Sequence, residues 1–553
     1  MDTAWLHRNL TLWEALLEVA RRYPHRVALV AGEARLTYRQ VVNRAQALAQ
    51  AWQARGVRKG DRLAMLLWSE AAFVHGFFAA ASIGAVVAPL PPRIRKHRLE
   101  QYLRDLAPVG LVSAADAQVE GGRETLEHLP GAIPGLSWIM IMDPEDEAGE
   151  PALAIEDGLK TLPAEEVAPQ DALAVLYTSG TTGEPKGAVH SHRSLISPVV
   201  ASLRLREMWL QRIPSPRLLR RWVRALAHYG MRLLRAAGRQ QVLLSLMAMH
   251  TISGLEAMLQ ALVFGDRLVL LRRFHPVRAL ELAMRERATV LIAPPVAYVA
   301  MLRSQEAAGN PIPSLLICAT GAAPCPPELA REIQARFGCA VHIGFGLTEV
   351  GGGIAATGLD DAPRVQAETV GQPMPGIEVR IVDEARRPLP LGEVGELACR
   401  SPGLMIGYLG GEGIEDDRRD AEGWYYTGDL AVMDARGFLR ILGRMSDRII
   451  RGGQNIYPQR IEDHLAQLPG IREAAVVGVP DALLGETIWA FVIPEEGAAP
   501  GRSEILAHCR QGLEAHEVPD QVRIVEDWPR AESGKAQKYR LRQIATQERA
   551  DDR

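Results

Sequence analysis

The chain has 553 residues, 47% hydrophobic and 23% charged, a globular balance too long for one core, so three to four folding units are expected. A formal net charge of −3 excludes a polyelectrolyte and leaves nucleic acid unsupported as a partner. The opening MDTAWLHRNLTLWEALLEVA lacks the basic region and unbroken apolar run of a secretory signal, and five scattered cysteines without a CxxC pair fit reduced thiols, so a cytoplasmic protein is expected.

In chain order, helical apolar spacing over Leu10–Tyr23 precedes a strand at Arg26–Val30 and a helix over Tyr38–Arg55. A strand at Arg62–Leu67 leads into a helix over Ala71–Gly84. The apolar stretch Ala71–Leu90 contains His75 and ends in two prolines, which predicts a buried helix and strand rather than a membrane span. Asp171–Leu176 is strand-like, and short buried strands resume at Gln241–Ser245, Arg267–Leu271, Val290–Ala293 and Leu315–Ala319. This alternation predicts a helix-covered, largely parallel sheet. After about Val370 the strands Glu378–Val382, Gly395–Cys399 and Phe438–Leu442 shorten between Gly and Pro turns. Gly443–Asp447 has the polarity of a linker. Beyond it, helices at Arg460–Gln467 and Ser503–Gly512 with strands at Ala474–Val479 and Thr487–Ile493 make a small α+β unit, and Gln547–Arg553 is expected to fray.

Two features carry chemistry before any family is considered. Tyr177–Gly187 reads YTSGTTGEPKG, a loop able to wrap N–H groups and hydroxyls around phosphate oxygens, with Lys186 as a point charge. It is not a Walker A loop, because Lys186 lies between Pro185 and Gly187. Only six of the 63 basic residues are lysines, so a retained lysine marks a place where a compact ammonium matters; Lys186 and Lys535 are two of them.

These residues, with Gly344–Glu349 (GFGLTE), Tyr426–Asp429 (YTGD), Gly443–Pro458 (GRMSDRIIRGGQNIYP) and Ser533–Lys535 (SGK), closely resemble the adenylate-forming, acyl-activating superfamily, in its acyl-CoA synthetase branch. The resemblance runs from about Leu10 to Arg542. It implies an α/β fold: a large domain (1–443) of helix-covered, mainly parallel sheets with a small β-barrel-like unit at about 370–443, a hinge at 444–447, and a small mobile α+β domain at 448–543 before a tail (544–553). The implied reaction joins a carboxylic acid to the α-phosphate of ATP, releases pyrophosphate, and passes the acyl group from AMP to coenzyme A.

By the same resemblance Thr178, Ser179, Gly180, Thr181, Thr182, Gly183 and Lys186 hold the β- and γ-phosphates, Thr348 meets the α-phosphate, and Glu349 holds Mg2+. Gly321, Ala322, Ala323, Gly344, Phe345 and Gly346 approach adenine, Phe345 by its ring face. Asp429 accepts from the ribose hydroxyls and Arg444 contacts ribose or phosphate. Lys535 bridges the attacking carboxylate and the α-phosphate. Ser446 occupies the hinge position, where relatives often carry Asp or Lys, and Asp447 follows it. Gly452 and Gly453 face the pantetheine tunnel. His250, Gly254 and Gly352 belong to the acyl pocket; His250 offers no fixed anion for an amino acid. Leu246–Leu255 and Gly351–Gly353 suggest a roomy, uncharged pocket for a fatty, alicyclic or aromatic acid.

The alternatives are an acyl-AMP ligase loading a carrier protein and a non-catalytic acyl-AMP-binding regulator. Arg204–Arg239 holds ten arginines against Glu207, and Arg220, Arg221, Arg224, His228, Arg232 and Arg235 fall within roughly 120° of a helix. That basic amphipathic pattern predicts either a solvated helix face or a peripheral membrane contact. The oligomeric state is left open, a homo-oligomer included.

Overall fold

A computed structural model describes residues 9–142, 166–179, 185–210, 239–304, 312–410, 418–452, 454–481, 483–498, 500–530 and 536–551. Within them, local chemistry starts the helices where the sequence predicts. Thr11 accepts from Glu14 N–H while the Glu14 carboxylate accepts from Thr11 N–H, a reciprocal cap that opens helix Leu12–Arg22. Thr37 and Gln40 do the same for helix Tyr38–Ala54. Thr37→Ala is expected to cost about 1 kcal/mol in urea denaturation.

Two large sheets are built from strands between Val27 and Tyr408. One runs Gln372–Pro373, Gly352–Ala356, Ala340–Leu347, Ile317–Thr320, Val290–Ile292, Val242–Ser245, Arg267–Leu270, Val27–Ala31, Ala34–Thr37. Its six middle strands, Ala340–Leu347 through Val27–Ala31, are parallel, and antiparallel strands close both edges. The other runs Gly407–Tyr408, Pro185–Ser191, Ala172–Ser179, Val86–Pro89, Arg62–Leu66, Gly110–Ala114, Trp138–Met142. Helix Ala71–Ile83 packs between the sheets with all 13 residues buried, as expected for the apolar stretch, and Gly84 in the left-handed region ends it. No helix among the described residues is long and apolar enough to cross a membrane.

The β-rich unit is a four-stranded antiparallel sheet in the order Glu378–Val382, Val394–Arg400, Tyr425–Met433, Leu439–Arg444. Its last strand runs through Gly443 and Arg444, into the stretch read as linker. The C-terminal unit is a separate five-stranded sheet, covered on one face by helices Pro458–Leu465 and Arg502–Gly512. Trp489, Phe491, Trp528, Leu541 and Ala545 fill the other face. The frayed tail expected from Gln547 is instead helix Lys538–Asp551. Arg549 pins it by bonds to Pro480 O (2.9 Å), Thr487 Oγ1 (2.8 Å) and the Asp481 carboxylate, contacts across the chain that local spacing does not encode. Helix His192–Leu210 contains Arg204 and Arg206, and Arg206 pairs with Asp266. The basic face Arg220–Arg235 lies outside the described residues.

Candidate active site

Two paired strands flank the stretch read as a phosphate loop. Strands Ala172–Ser179 and Pro185–Ser191 pair antiparallel, with Thr178 opposite Lys186. Thr178 and Ser179 are strand rather than loop, because pairing continues past the point where apolar residues stop. Gly180, Thr181, Thr182 and Gly183 lie outside the described residues. Tyr177 OH donates to Asp105 Oδ2 at 2.8 Å, fixing the hairpin base. The Lys186 ammonium is exposed and lies 5.3 Å from the ring centroid of Tyr408, whose strand, Gly407–Tyr408, pairs with Pro185–Ser191.

Tyr408 also reaches the second motif. Strand Ala340–Leu347 runs into a 3-10 turn, Thr348–Val350, and Tyr408 OH donates to Glu349 Oε1 at 3.0 Å. The Glu349 carbonyl accepts from Met405 N–H at 2.8 Å, and burial draws the pKa of His190 down to about 4, opposed by the Thr348 backbone. Burial, then the Glu349 carboxylate, push the Tyr408 phenol well above its ordinary range. Burial works against the charge of Arg418, but Tyr425, Tyr408 and Glu349 outweigh it and hold its pKa up. Lys186, Tyr408, Arg418 and Glu349 therefore form one charged cluster. Tyr408 and Arg418 were missed in the sequence, since neither belongs to a spaced motif.

Glu349 is a single carboxylate with one oxygen engaged, and the described residues hold no group of three or more His, Cys, Asp or Glu able to cage a metal. That donor set fits Mg2+ shared between one carboxylate and substrate phosphates.

The residues expected at adenine and ribose fall on two sheets, Gly321 at the end of one strand and Gly344 within its neighbour in the nine-stranded sheet, and Asp429 on the four-stranded one. A Cβ on Gly321 would stand 2.9 Å from Gly344 O, so the two backbones approach closely at Gly321 and Gly344. Ala322 takes a φ of 65° there. Phe345 is half-buried and packs toward the antiparallel sheet through the cluster containing Ala431 and Leu439. On that sheet Asp429, 4% exposed, stands opposite Arg444, and Arg444 Nε donates to Asp429 Oδ1 at 2.8 Å. The two predicted ribose residues are thus brought together as an ion pair.

His250 is half-buried, and burial lowers its pKa to about 4, so it is neutral at ordinary pH. Gly254, in the first turn of helix Ile252–Val263, admits no side chain: a Cβ would fall 2.1 Å from Ala248 O. Gly352 has a φ of 137°, and a Cβ there would be 2.6 Å from Glu256 Oε2. A carboxyl thus stands against Gly352, one of the residues read as lining an uncharged pocket. Burial raises the Glu256 pKa from 4.5 to about 7, against hydrogen bonds from Gly353 N–H and Gln260. The folded chain thus holds this proton more tightly than the unfolded one, and the residue's contribution to stability declines as pH rises from about 4.5 to about 7. Glu256→Gln is expected to change the denaturation midpoint little at pH 4 and to stabilise by about 2 kcal/mol at pH 8. A variant no more stable at pH 8 than at pH 4 would contradict the buried charge.

The AMP-binding enzyme family model matches residues 16–409, and that of the AMP-binding enzyme C-terminal domain matches residues 460–535. This chain belongs to the AMP-binding enzyme family. It is 32% identical over 549 residues to an octahydroindenyl-propanoyl:CoA ligase of Mycobacterium tuberculosis, covering 97% of this chain and 99% of that protein. It is 30% identical over 537 residues to a feruloyl-CoA synthase of Amycolatopsis, with 97% and 99% covered. ATP-bound MatB from Rhodopseudomonas palustris superposes with a TM-score of 0.81 at 27% identity, covering 98% of this chain and 99% of that one.

Within this AMP-binding enzyme the junction to the small unit is a 3-10 turn, Met445–Asp447, directly after strand Leu439–Arg444. Ser446 is exposed, and its Oγ lies 3.4 Å from Asp447 Oδ1. Arg448 reaches Glu384 of the β-rich unit at 3.4 Å. Gly452, with a φ of 58°, donates its N–H to Leu484 O at 2.7 Å. Arg451 beside it is held by His516 O and the Asp520 carboxylate. Gly453 and Lys535 lie outside the described residues. Lys538, just beyond, pairs with Glu462 at 2.7 Å.

Proposed function

We infer that this chain is an ATP-dependent carboxylic acid–CoA ligase working through an acyl-adenylate, on a fatty, alicyclic or aromatic acid. The observation that carries the reading is the meeting of Lys186 and Glu349 at Tyr408, from segments far apart in sequence. A carboxylate attacking a polyphosphate is repelled by like charge, so a site for it must gather cations and fixed dipoles before reaction. In the proposed first step a substrate carboxylate oxygen bonds the α-phosphorus, the bond from that phosphorus to the bridging oxygen breaks, and pyrophosphate leaves. Lys186 and the stretch read as a phosphate loop steady the leaving phosphates, and Thr348 orients the α-phosphate. Mg2+ held at Glu349 would supply charge neutralisation to the phosphates. Asp429, with Arg444 beside it, orients the ribose. In the second step the coenzyme A sulfur bonds the acyl carbon, the mixed-anhydride C–O bond breaks, and AMP leaves.

The feruloyl and octahydroindenyl-propanoyl groups of the two relatives both contain rings, which supports a cyclic acid. The test incubates the full chain with ATP, Mg2+ and a panel of acids, following pyrophosphate, AMP and thioester with and without coenzyme A. Acid-dependent AMP release accelerated by coenzyme A, with a thioester product, is expected. Adenylate formation with no thioester would reassign the acceptor to a carrier protein.

A further inference from the structure

Helix Ile252–Val263 (ISGLEAMLQALV) is apolar apart from Ser253, Glu256 and Gln260, and the last two lie one turn apart on one face. Gln260 Nε2 donates to Glu256 Oε1 at 3.1 Å and to Ser202 Oγ at 3.0 Å, so the amide is anchored and the carboxyl held still. The Glu256 carboxyl abuts Gly352 and Gly353. These residues open strand Gly352–Ala356, which pairs back along Ala340–Leu347 with Gly353 opposite Gly346 and Gly352 opposite Leu347. Glu256 therefore lies against the same pair of strands that carries Phe345 and leads to Thr348 and Glu349.

A carboxylate has roughly four acceptor positions. Gln260 and Gly353 N–H supply two donors, and among the described residues no cation pairs with it. A half-buried carboxyl without a cation is costly unless a further donor completes its shell. Nothing in the nucleotide chemistry assigned above uses it, and Gly352 lets the neighbouring strand approach it closely.

We propose that Glu256 forms the polar end of the acyl pocket and selects acids whose tail carries a hydrogen-bond donor, a hydroxyl or an amino group, over hydrocarbon acids of the same shape. The proposal rests on the acid–CoA ligase reading. A pocket built to bond a substrate donor rejects the analogue lacking it, because the protein acceptor is then stranded. An apolar wall in its place would discriminate only by size.

The experiment measures kcat/KM for coenzyme A-dependent AMP release on matched acids: hydroxyphenylpropanoate, aminophenylpropanoate and phenylpropanoate, then ω-hydroxydodecanoate and dodecanoate. For the skeleton turned over fastest, the wild type is expected to favour a donor-bearing acid by at least about tenfold. Glu256→Leu is expected to bring that ratio within about twofold, lowering the donor acid and raising the plain one. Glu256→Gln keeps an acceptor oxygen without the charge; it should retain more preference for hydroxyl than for amine, and it serves if the Leu variant does not fold. A wild-type ratio near one for every pair, or a ratio unchanged in both variants, overturns the role of Glu256 while leaving the ligase reading intact. Absence of coenzyme A-dependent AMP release with every acid overturns both.

Discussion

Glu349→Gln is expected to reduce acid-dependent ATP–pyrophosphate exchange by about a hundredfold or more. The change removes one negative charge and almost no volume, and the amide oxygen can still accept from Tyr408 OH, which donates to Glu349 Oε1 at 3.0 Å. The loss therefore reports the charge rather than a collapsed turn. The deficit should shrink as Mg2+ is raised, since a weakened site is refilled by mass action, and the apparent Mg2+ requirement should move upward. A variant with wild-type exchange at every Mg2+ concentration would remove Glu349 from the phosphate chemistry. Tyr408→Phe makes a useful companion: it frees the carboxylate without discharging it, so a smaller loss is expected.

Lys535→Ala is expected to lower adenylation by about a thousandfold while acyl-AMP binding stays largely intact. Lys535 is outside the described residues, so its role rests on the SGK motif and on the scarcity of lysine in an arginine-rich chain. The helix that begins three residues later is well anchored, with Lys538 paired to Glu462 at 2.7 Å and Leu541 buried. Two measurements separate catalysis from folding: pyrophosphate exchange for the first step, and thioester formation from supplied acyl-AMP and coenzyme A for the second. Full exchange in the variant would falsify the assignment. Equal loss in both halves would point to a structural defect.

The repeating apolar strands were legible because burial on both faces leaves runs such as VLLS and RLVL with few other uses. Helix starts were legible because capping is local. Tail and hairpin were misjudged for a common reason: Arg549 holding Pro480 and Asp481, and Lys186 opposite Thr178, are pairings between distant or folded-back segments. The site divided along the same line. Glu349, Asp429 and Arg444 sit inside dense motifs, whereas Tyr408 and Arg418 reach Glu349 from some 60 to 70 residues away in sequence, with no spacing to betray them. Glu256 did leave a trace. An acid and an amide one turn apart in an otherwise apolar helix form an inward polar stripe, but taking the neighbouring apolar residues as an uncharged wall hid it.

Helix Ala71–Ile83 has a thermodynamic consequence. Residues of both large sheets, Leu29, Leu243 and Leu268 from one and Leu63, Val87 and Val112 from the other, share a single core around it. Neither large sheet can lose its packing alone, so the two should melt together as one cooperative block. Among the described residues, the C-terminal unit draws its cores from residues between Ile449 and Ala545. It should give a second, independent transition in calorimetry, and a unit that owes its fold to no neighbour can change its position without unfolding.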